Sequence, residues 1–296
     1  MANLKRADRA IAAYSEKLNP TEQALLGYFR ALWEEQAAIG KELAPAYEVP
    51  GIDKIKQLSK EQMPILRIYP AAISPQTLAE ATSRMATALC TKGGFANRTT
   101  REIAGIDWKA TSRIGAAVAG SNPEECIEVE LDTLAQTGLS RETLQIAMSA
   151  VSLALRGLLE PVADALMDAR KQADVAMQHP VMCPVCGCGA TIAAVGASTS
   201  TSGGARQLFC TQCGTVWDFD RIRCARCGTR NQGHLHYYHV GDDDAHRIHL
   251  CDECGGYIRT VFQENILAPM SLDVEDVVMA KLDLVAQQKL IEDKED

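Results

Sequence analysis

The first part of the chain repeats apolar side chains with the period of an α-helix. After Asn19-Pro20, apolar residues recur every three or four positions, at Leu25, Leu26, Phe29, Leu32, Trp33 and Ile39. Asn19 is suited to cap this helix, and Pro20 to its first position, where the backbone N–H has no partner in any case. The pattern therefore predicts a helix that begins at Pro20.

Further helix starts carry the same kind of signal, at Ser74-Pro75, Asn122-Pro123 and Ser140. Another helix is expected over about 101–118, and the one after Ser140 is expected to reach Pro161. That proline should start or kink a following helix that ends near Ala176. Together these segments predict an all-α domain of six or seven helices over residues 1–180.

Beyond His179-Pro180 the periodicity changes to the alternation of β-strands. Segments 206–209, 234–240 and 247–250 read as strands, and Trp217 and Phe219 alternate as in a half-buried strand. The tips between strands are expected at the Gly/Ser/Thr-rich stretch 196–204 and at Asp242-Asp243-Asp244. We expect a first ribbon over 181–222 and a second over 223–268. Pro269 and Ser271 then introduce a C-terminal amphipathic helix and tail over 269–296.

Four CxxCG motifs fall within the two predicted ribbons. Their cysteines are Cys183 and Cys186, Cys210 and Cys213, Cys224 and Cys227, and Cys251 and Cys254. Each cysteine of the first two motifs recurs 41 residues later in the last two, so the segment is an internal repeat.

The spacing of these cysteines is typical of metal ligands. Two cysteines three positions apart on a tight turn direct both sulfurs to one side, and the following glycine can adopt the positive φ that such a turn needs. Two facing turns supply four thiolates in a tetrahedron, which suits zinc or iron. Disulfides and a thiol–disulfide exchange site are the alternatives.

Equal spacers of 23 residues favour pairing the first motif with the second, and the third with the fourth. The eight cysteines are thus predicted to hold two ions.

Composition narrows the function classes. The 296 residues suit about two domains, and 47% hydrophobic residues are enough for a core. A net charge of −8 argues against general binding to nucleic acid or to acidic membranes. No secretory signal is visible, and the most apolar segment, Leu144 to Val162, carries Arg156 and Glu160, so we expect no membrane span. Cytoplasmic location follows, and in a reducing compartment CxxC pairs bind metal rather than form disulfides.

The remaining polar residues offer weaker candidates. The helical region contains no HExxH motif, glycine-rich phosphate loop or Gly-x-Ser-x-Gly elbow, so we expect no enzyme. Cys188 is expected to be a spare exposed thiol, with a ligand or redox role as the alternative. The five histidines of the second ribbon are expected on strand surfaces, with completion of a mixed metal site as the alternative. An arginine cluster should either offset thiolate charge or bind an acidic partner; it comprises Arg221, Arg223, Arg226 and Arg230.

The cysteine segment resembles the FdhE family, the formate dehydrogenase accessory proteins. The resemblance is carried by Cys183-Pro-Val-Cys186-Gly187, Cys213-x-x-x-Trp217, Arg223-Cys224-x-x-Cys227-Gly228 and Cys251-x-x-Cys254-x-x-Tyr257. It implies an α+β protein: an all-α N-terminal domain, two tandem rubredoxin-like or zinc-ribbon modules and a C-terminal helix. It also implies a cytoplasmic factor that contacts the molybdenum- and selenocysteine-containing catalytic subunit of formate dehydrogenase, with iron on the eight cysteines.

Three functions are therefore compared. The first is a non-enzymatic maturation factor for formate dehydrogenase. The second is a rubredoxin-like electron carrier or redox regulator, and the third is a nucleic-acid-binding zinc-ribbon protein, which the charge balance disfavours. The sequence leaves open the choice between iron and zinc, the partner surface and the oligomeric state, a homo-oligomer included.

Overall fold

A computed structural model describes residues 4–175, 178–196, 205–239, 241, 243–266 and 269–295. Nine helices lie within residues 4–175: α1 (Leu4–Tyr14), α2 (Pro20–Leu43), α3 (Ile52–Glu61), α4 (Ile65–Ile68), α5 (Pro75–Gly93), α6 (Asn97–Ala104), α7 (Trp108–Ala119), α8 (Pro123–Ala135) and α9 (Arg141–Gln172). The predicted order of a helical region, a cysteine-bearing sheet region and C-terminal helical structure is confirmed.

The predicted helix starts are confirmed by their caps. The Asn19 side chain accepts a hydrogen bond from the Glu22 backbone N–H at 3.0 Å, and the Glu22 carboxylate accepts one from the Asn19 N–H at 3.0 Å. Ser74, Asn122 and Ser140 cap α5, α8 and α9 through their side chains. These capping bonds satisfy backbone groups that would otherwise have no partner, so the sequence signal has a local cause.

The predicted number of helices was too low. The segment expected as one helix over 101–118 is two, because the chain turns after Gly105 and the Asp107 carboxylate caps a new helix by accepting from the N–H groups of Lys109 and Ala110 at 3.1 Å. Pro161 lies inside α9 without ending it. A Cβ on Gly40 would lie 3.3 Å from the Pro161 ring, so close packing of α2 on α9 holds the proline in the helix.

Helix α9 is the centre of the helical body and contacts α2, α5 and α8. Its buried face includes Ala147, Ala154, Leu155, Leu158 and Leu166, each at most 1% exposed. Among the described residues α9 is the one helix long and apolar enough to cross a membrane, but 72% of its apolar window is buried inside the protein. Burial of this kind is what the core helix of a globular body shows.

Both predicted ribbons enter one six-stranded sheet. The strands are β1 (Ile192–Val195), β2 (Arg206–Phe209), β3 (Val216–Phe219), β4 (Leu235–His239), β5 (His246–Cys251) and β6 (Gly256–Phe262), in the order β3-β2-β1-β6-β5-β4. Within each half the strands pair antiparallel, and β1 pairs parallel with β6 from Ile192↔Arg259 to Val195↔Phe262. The halves are therefore joined by hydrogen bonds, and the ribbon boundaries at 222 and 268 stay a prediction.

The C-terminal segment folds as two helices, α10 (Leu272–Val278) and α11 (Lys281–Glu295), where one was expected. Val274 and Val277 pack into a cluster with Ala7, Leu26 and Trp33 of the helical body. Met279, Leu282 and Ala286 instead pack on the sheet, against residues such as Phe209 and Ile248. The chain end thereby bridges the helical body and the sheet.

Two predicted loop tips fall mainly or partly outside the described residues. Of the tip at 196–204, only Gly196 is described. Of the acidic tip, Asp242 is outside the described residues, whereas Asp243 and Asp244 are described.

Candidate metal centres

The eight cysteines of the CxxCG motifs come together in two groups of four. Within each group the sulfur atoms all lie within 4.8 Å of one another. The first cluster consists of Cys183, Cys186, Cys210 and Cys213, and the second of Cys224, Cys227, Cys251 and Cys254. Motif one therefore faces motif two, and motif three faces motif four, which is the pairing that the equal spacers predicted.

Each motif forms the same tight turn, which we call a knuckle. The glycine after the second cysteine has positive φ in all four knuckles, at 83° for Gly187, 77° for Gly214, 80° for Gly228 and 64° for Gly255. Its backbone N–H donates to the carbonyl of the first cysteine at 2.8–3.1 Å. The direction of both sulfurs is thus set by a turn whose sequence requirement is local.

The sulfur spacing fits a tetrahedral ion. Sulfur–sulfur distances are 3.5 Å for Cys183–Cys213 and Cys186–Cys210, and 3.8 Å for Cys224–Cys254 and Cys227–Cys251. A tetrahedron with bonds of ~2.3 Å has edges of about 3.8 Å, whereas a disulfide bond is about 2.05 Å long. All eleven cysteines are free. Both clusters could therefore hold a metal ion, and the spacing suits zinc and iron alike.

The first cluster is buried between the sheet and the helical body. The Ile65 and Leu66 N–H groups at the start of α4 donate to the carbonyls of Pro184 and Val185 in the first knuckle, at 3.0 and 2.9 Å. On the other side, Gln212 of the second knuckle and Ser152 of α9 exchange two hydrogen bonds of 3.0 and 3.1 Å. Both knuckles of this cluster are therefore held by the helices.

Arg156 of α9 adds charged interactions to the contact between this helix and the second knuckle. Its guanidinium donates to the Thr211 carbonyl at 2.7 Å and to the carboxylates of Glu160 and Asp273 at 3.2 Å each. Burial disfavours the charged form of Arg156, but the Asp273 and Glu160 carboxylates outweigh it and raise its pKa. Arg156 and Glu160, the two charged residues within the apolar segment of α9, thus lie where the first ribbon contacts this helix.

The second cluster lies at the surface. Cys224 and Cys251 are 6% and 3% exposed, whereas Cys227 and Cys254 are exposed. The backbone N–H groups of Arg226 and Cys227 donate to the Cys224 sulfur at 3.3 and 3.5 Å, as expected for a thiolate in a knuckle. The two clusters therefore share a sequence pattern and differ in solvent contact.

The arginine cluster only partly fulfils its expected roles. Arg223 and Arg230 both pair with the single Asp220 carboxylate, so each already has an acidic partner within the protein. Arg206, which the sequence did not single out, is 4% exposed and donates to the Arg223 carbonyl at 2.9 Å. Burial lowers its pKa to about 10, and negative charge on Cys224 opposes that shift. Arg206 is therefore a buried cation whose charge interacts favourably with negative charge on Cys224.

The expectation of an exposed thiol at Cys188 was wrong. Cys188 is 8% exposed and packs in the same core as the four sulfurs of the first cluster. Its carbonyl accepts from the Cys183 N–H at 2.9 Å, which closes the first knuckle and draws the side chain inward. The Thr215 hydroxyl, also missed, lies 3.1 Å from the Cys213 sulfur. Cys188 and Thr215 each come directly after a knuckle glycine, and the sequence alone does not show whether a residue at that position is buried.

The histidines of the second ribbon divide into two kinds. His234 and His236 face Glu253 and Asp252 at the surface, in keeping with a strand-surface role. His246 is 5% exposed and lies between the carboxylates of Asp243 and Glu275, at 2.9 Å from each. Burial opposes its protonation, but these two hydrogen bonds raise its pKa to about 9. The metal-ligand groups found among the described residues contain only cysteine.

Trp217 is buried beside the first cluster. It is 1% exposed and belongs to the same core, and its indole N–H donates to the Pro180 carbonyl at 2.8 Å. Four sulfurs around one ion leave no open coordination position, so such a centre supplies folding energy or electron transfer rather than a site for substrate.

Comparison with known proteins points to one family name. No protein-family model matches the chain. Curated proteins named Protein FdhE, from Escherichia coli O1:K1, Escherichia coli O157:H7 and Shigella boydii serotype 18, are each 36% identical to it over 83 residues. That match covers 28% of this chain, and the chain spans only 26% of the length of those relatives.

The fold comparison extends over nearly the whole chain. The crystal structure of the FdhE protein from Pseudomonas aeruginosa matches 97% of this chain and 90% of its own, with a TM-score of 0.59 and 18% sequence identity. The resemblance to the FdhE family that the cysteine motifs indicated is confirmed. The sequence similarity covers a segment of 83 residues, and the fold similarity covers 97% of the chain.

Proposed function

We propose that this chain is an accessory protein of the FdhE type, required for the formation of active formate dehydrogenase. Its partner in this proposal is the catalytic subunit of that enzyme, and it acts in the cytoplasm without catalysing a reaction itself. The observation that carries the proposal is the FdhE fold over 97% of the chain, with both cysteine clusters assembled within it.

The proposal assigns a metal ion to each cluster. Cys183, Cys186, Cys210 and Cys213 would hold one ion, and Cys224, Cys227, Cys251 and Cys254 the other. The resemblance favours iron, and the sulfur spacing suits zinc equally well. Elemental analysis of protein purified with and without oxygen decides between them.

A pull-down tests the partner. Affinity-tagged chain, expressed in its own organism, should co-purify the formate dehydrogenase catalytic subunit, and a deletion strain should lose formate oxidation. Cys210→Ser should abolish recovery of the subunit, and Cys90→Ser, outside both clusters, should leave it unchanged. Absence of the subunit from every preparation, with normal formate oxidation in the deletion strain, would refute the accessory role.

Electron transfer is the second candidate. The exposed Cys227 and Cys254 would bring an iron ion in the second cluster close to the surface, as an electron carrier requires. The visible spectrum separates the two functions, because tetrathiolate iron is coloured and zinc is not. A colourless protein that still restores formate oxidation would exclude electron transfer.

A further inference from the structure

The two cysteine clusters arise from one repeated sequence but have different surroundings, and we propose that they have different roles. The first cluster holds an ion that is a permanent part of the fold. The second cluster holds an ion that exchanges with the solvent while the protein stays folded. This inference rests on the metal occupancy assigned above, not on the partner.

Solvent access is the first difference. In the first cluster Cys183, Cys186 and Cys213 are 0% exposed and Cys210 is 1% exposed. A chelator or a thiol reagent can reach these sulfurs only after local opening of the structure. In the second cluster two of the four sulfurs, those of Cys227 and Cys254, belong to exposed residues.

The anchoring of the first cluster makes that opening costly. Its first knuckle accepts the two backbone bonds from α4, and its second knuckle is bound to Arg156 and Ser152 of α9. Arg156 is itself 5% exposed and paired with buried carboxylates. Spreading the first cluster would therefore separate the sheet from the helical body and leave buried charges without partners.

The second cluster is held by its own ribbon and by neighbouring segments of the sheet region, since Arg206 of β2 donates to the Arg223 carbonyl at 2.9 Å and Arg223 donates to the His179 carbonyl at 2.9 Å. In the third knuckle, Arg226 Nε donates to the Tyr257 carbonyl at 3.0 Å. In the fourth, the Asp252 N–H donates to the His234 carbonyl at 3.0 Å, and the Asp252 carboxylate lies 2.7 Å from His236 Nε2. Ion pairs at an exposed position contribute little stability, so the fourth knuckle, with its exposed Cys254, opens at a lower cost than either knuckle of the first cluster.

A cavity lies beside this cluster. About 150 Å³ of space lies between the loop before the third knuckle and strands β4 to β6, and its lining includes Cys224 and Cys251. The packing is therefore looser next to these two residues, which are themselves 6% and 3% exposed. On exchange the ion would leave, and the four thiolates would take up protons or another soft divalent ion in its place.

Chelator kinetics on the full chain test the proposal. Protein loaded with two zinc ions is mixed with 4-(2-pyridylazo)resorcinol, and zinc release is followed by absorbance. We expect two phases of one ion each, the second at least about tenfold slower because it needs local unfolding. Circular dichroism should be unchanged after the fast phase. Release of both ions in a single phase would overturn the proposal.

Thiol labelling locates the phases without any substitution. With N-ethylmaleimide and peptide mass spectrometry, Cys227 and Cys254 should be modified during the fast phase, and Cys210 and Cys213 only during the slow one. The partly buried Cys90 reports reactivity outside both clusters. Modification of the first cluster before the second would contradict the assignment.

A matched pair of variants completes the test. Cys254→Ser should fold, lose the fast phase and keep the slow one, whereas Cys210→Ser should lose solubility or the slow phase. A Cys254→Ser protein that fails to fold, or one that loses the slow phase, overturns the proposal. These measurements use purified protein alone, so their outcome does not depend on whether the pull-down recovers the partner. Conversely, release of both ions in one phase would refute the difference between the clusters but would not bear on the accessory role.

Discussion

Glycine follows the second cysteine of every CxxC pair, and the four sites differ in what surrounds them. Gly214 has φ of 77°, and a Cβ there would lie 3.0 Å from Glu160 Oε1 and 3.1 Å from Arg156 Nη2. Gly255 has φ of 64° with no atom within 4 Å of an added Cβ. All four glycines share the backbone demand. An added Cβ would also lie 3.0–3.1 Å from a neighbouring atom at Gly187, Gly214 and Gly228, but at Gly255 it would meet no atom within 4 Å.

Substitution by alanine separates the cost of a Cβ at positive φ from the cost of a clash with neighbouring atoms. Gly255→Ala should cost about 1 kcal/mol, the strain of a Cβ at positive φ. Gly214→Ala should cost about 2–3 kcal/mol, because it also displaces a buried ion pair. Denaturant unfolding of the metal-loaded proteins measures both, with Gly255→Ala as the control. Equal losses of stability would show that the Gly214 knuckle is not pressed against α9.

The side chain of His246 connects three parts of the chain. Its ring lies between Asp243 and Glu275, and the Tyr14 hydroxyl donates to Glu275 at 2.8 Å. The pKa of His246 is raised to about 9, above the unfolded value of about 6.5. Protonated His246 therefore contributes up to about 3 kcal/mol to the free energy of unfolding. This contribution is fully present below about pH 6.5 and is lost as the pH rises through 9.

The variant His246→Gln tests this pH dependence. The difference in the free energy of unfolding between the native protein and the variant should be larger at pH 6 than at pH 9.5. Denaturant titrations at the two pH values provide the measurement. His239→Gln, on the exposed strand β4, serves as the control and should change stability at neither pH. A difference that stays constant with pH would mean that His246 is neutral in the folded protein.

At the scale of elements, α9 determines how the sheet meets the helices. Arg156 lies within a long apolar helix, yet it is directed at the second knuckle rather than at solvent. Replacing it with leucine would leave Glu160 and Asp273 buried without their cation. Arg156→Leu should therefore lose about 3–5 kcal/mol, the usual cost of breaking a buried ion pair.

Thermal unfolding and limited proteolysis check this expectation. Early cleavage between the helices and the first knuckle should accompany the lower melting temperature of Arg156→Leu. Arg141→Leu, at the exposed start of the same helix, is the matched control and should change stability by less than about 0.5 kcal/mol. Equal melting temperatures and cleavage patterns for the two variants would show that Arg156 does not stabilise the contact between α9 and the sheet.

At the scale of the whole molecule, we expect the sheet to depend on metal as well as on burial. Segments of about 40 residues are too short to bury enough surface to fold alone, and structural ions contribute on the order of 10 kcal/mol in zinc-finger peptides. Removing both ions should therefore unfold the sheet. Loss of strand signal in circular dichroism, together with aggregation, is the expected result. Unchanged circular dichroism and solubility after loss of both ions would contradict it.

Most elements could be predicted because their signals are local. Caps at Asn19 and Ser140, strand 206–209 and the knuckle glycines depend on neighbours within a few residues. Strand β6 and the break between α6 and α7 were missed. Segment 256–262 carries Arg259 and Thr260 among its apolar residues, so its strand pattern is weak and does not show its partner. Helices α6 and α7 are short and share one periodicity.

The sequence by itself determined which sulfurs are grouped, because a repeated CxxCG turn fixes side-chain direction locally and equal spacers fix the pairing. Only the tertiary structure decided that the first cluster is enclosed by α4 and α9 while the second meets solvent, and that β1 and β6 join both halves in one sheet. The physical reason is that burial and strand partnership depend on residues far apart in the chain, which no local pattern records.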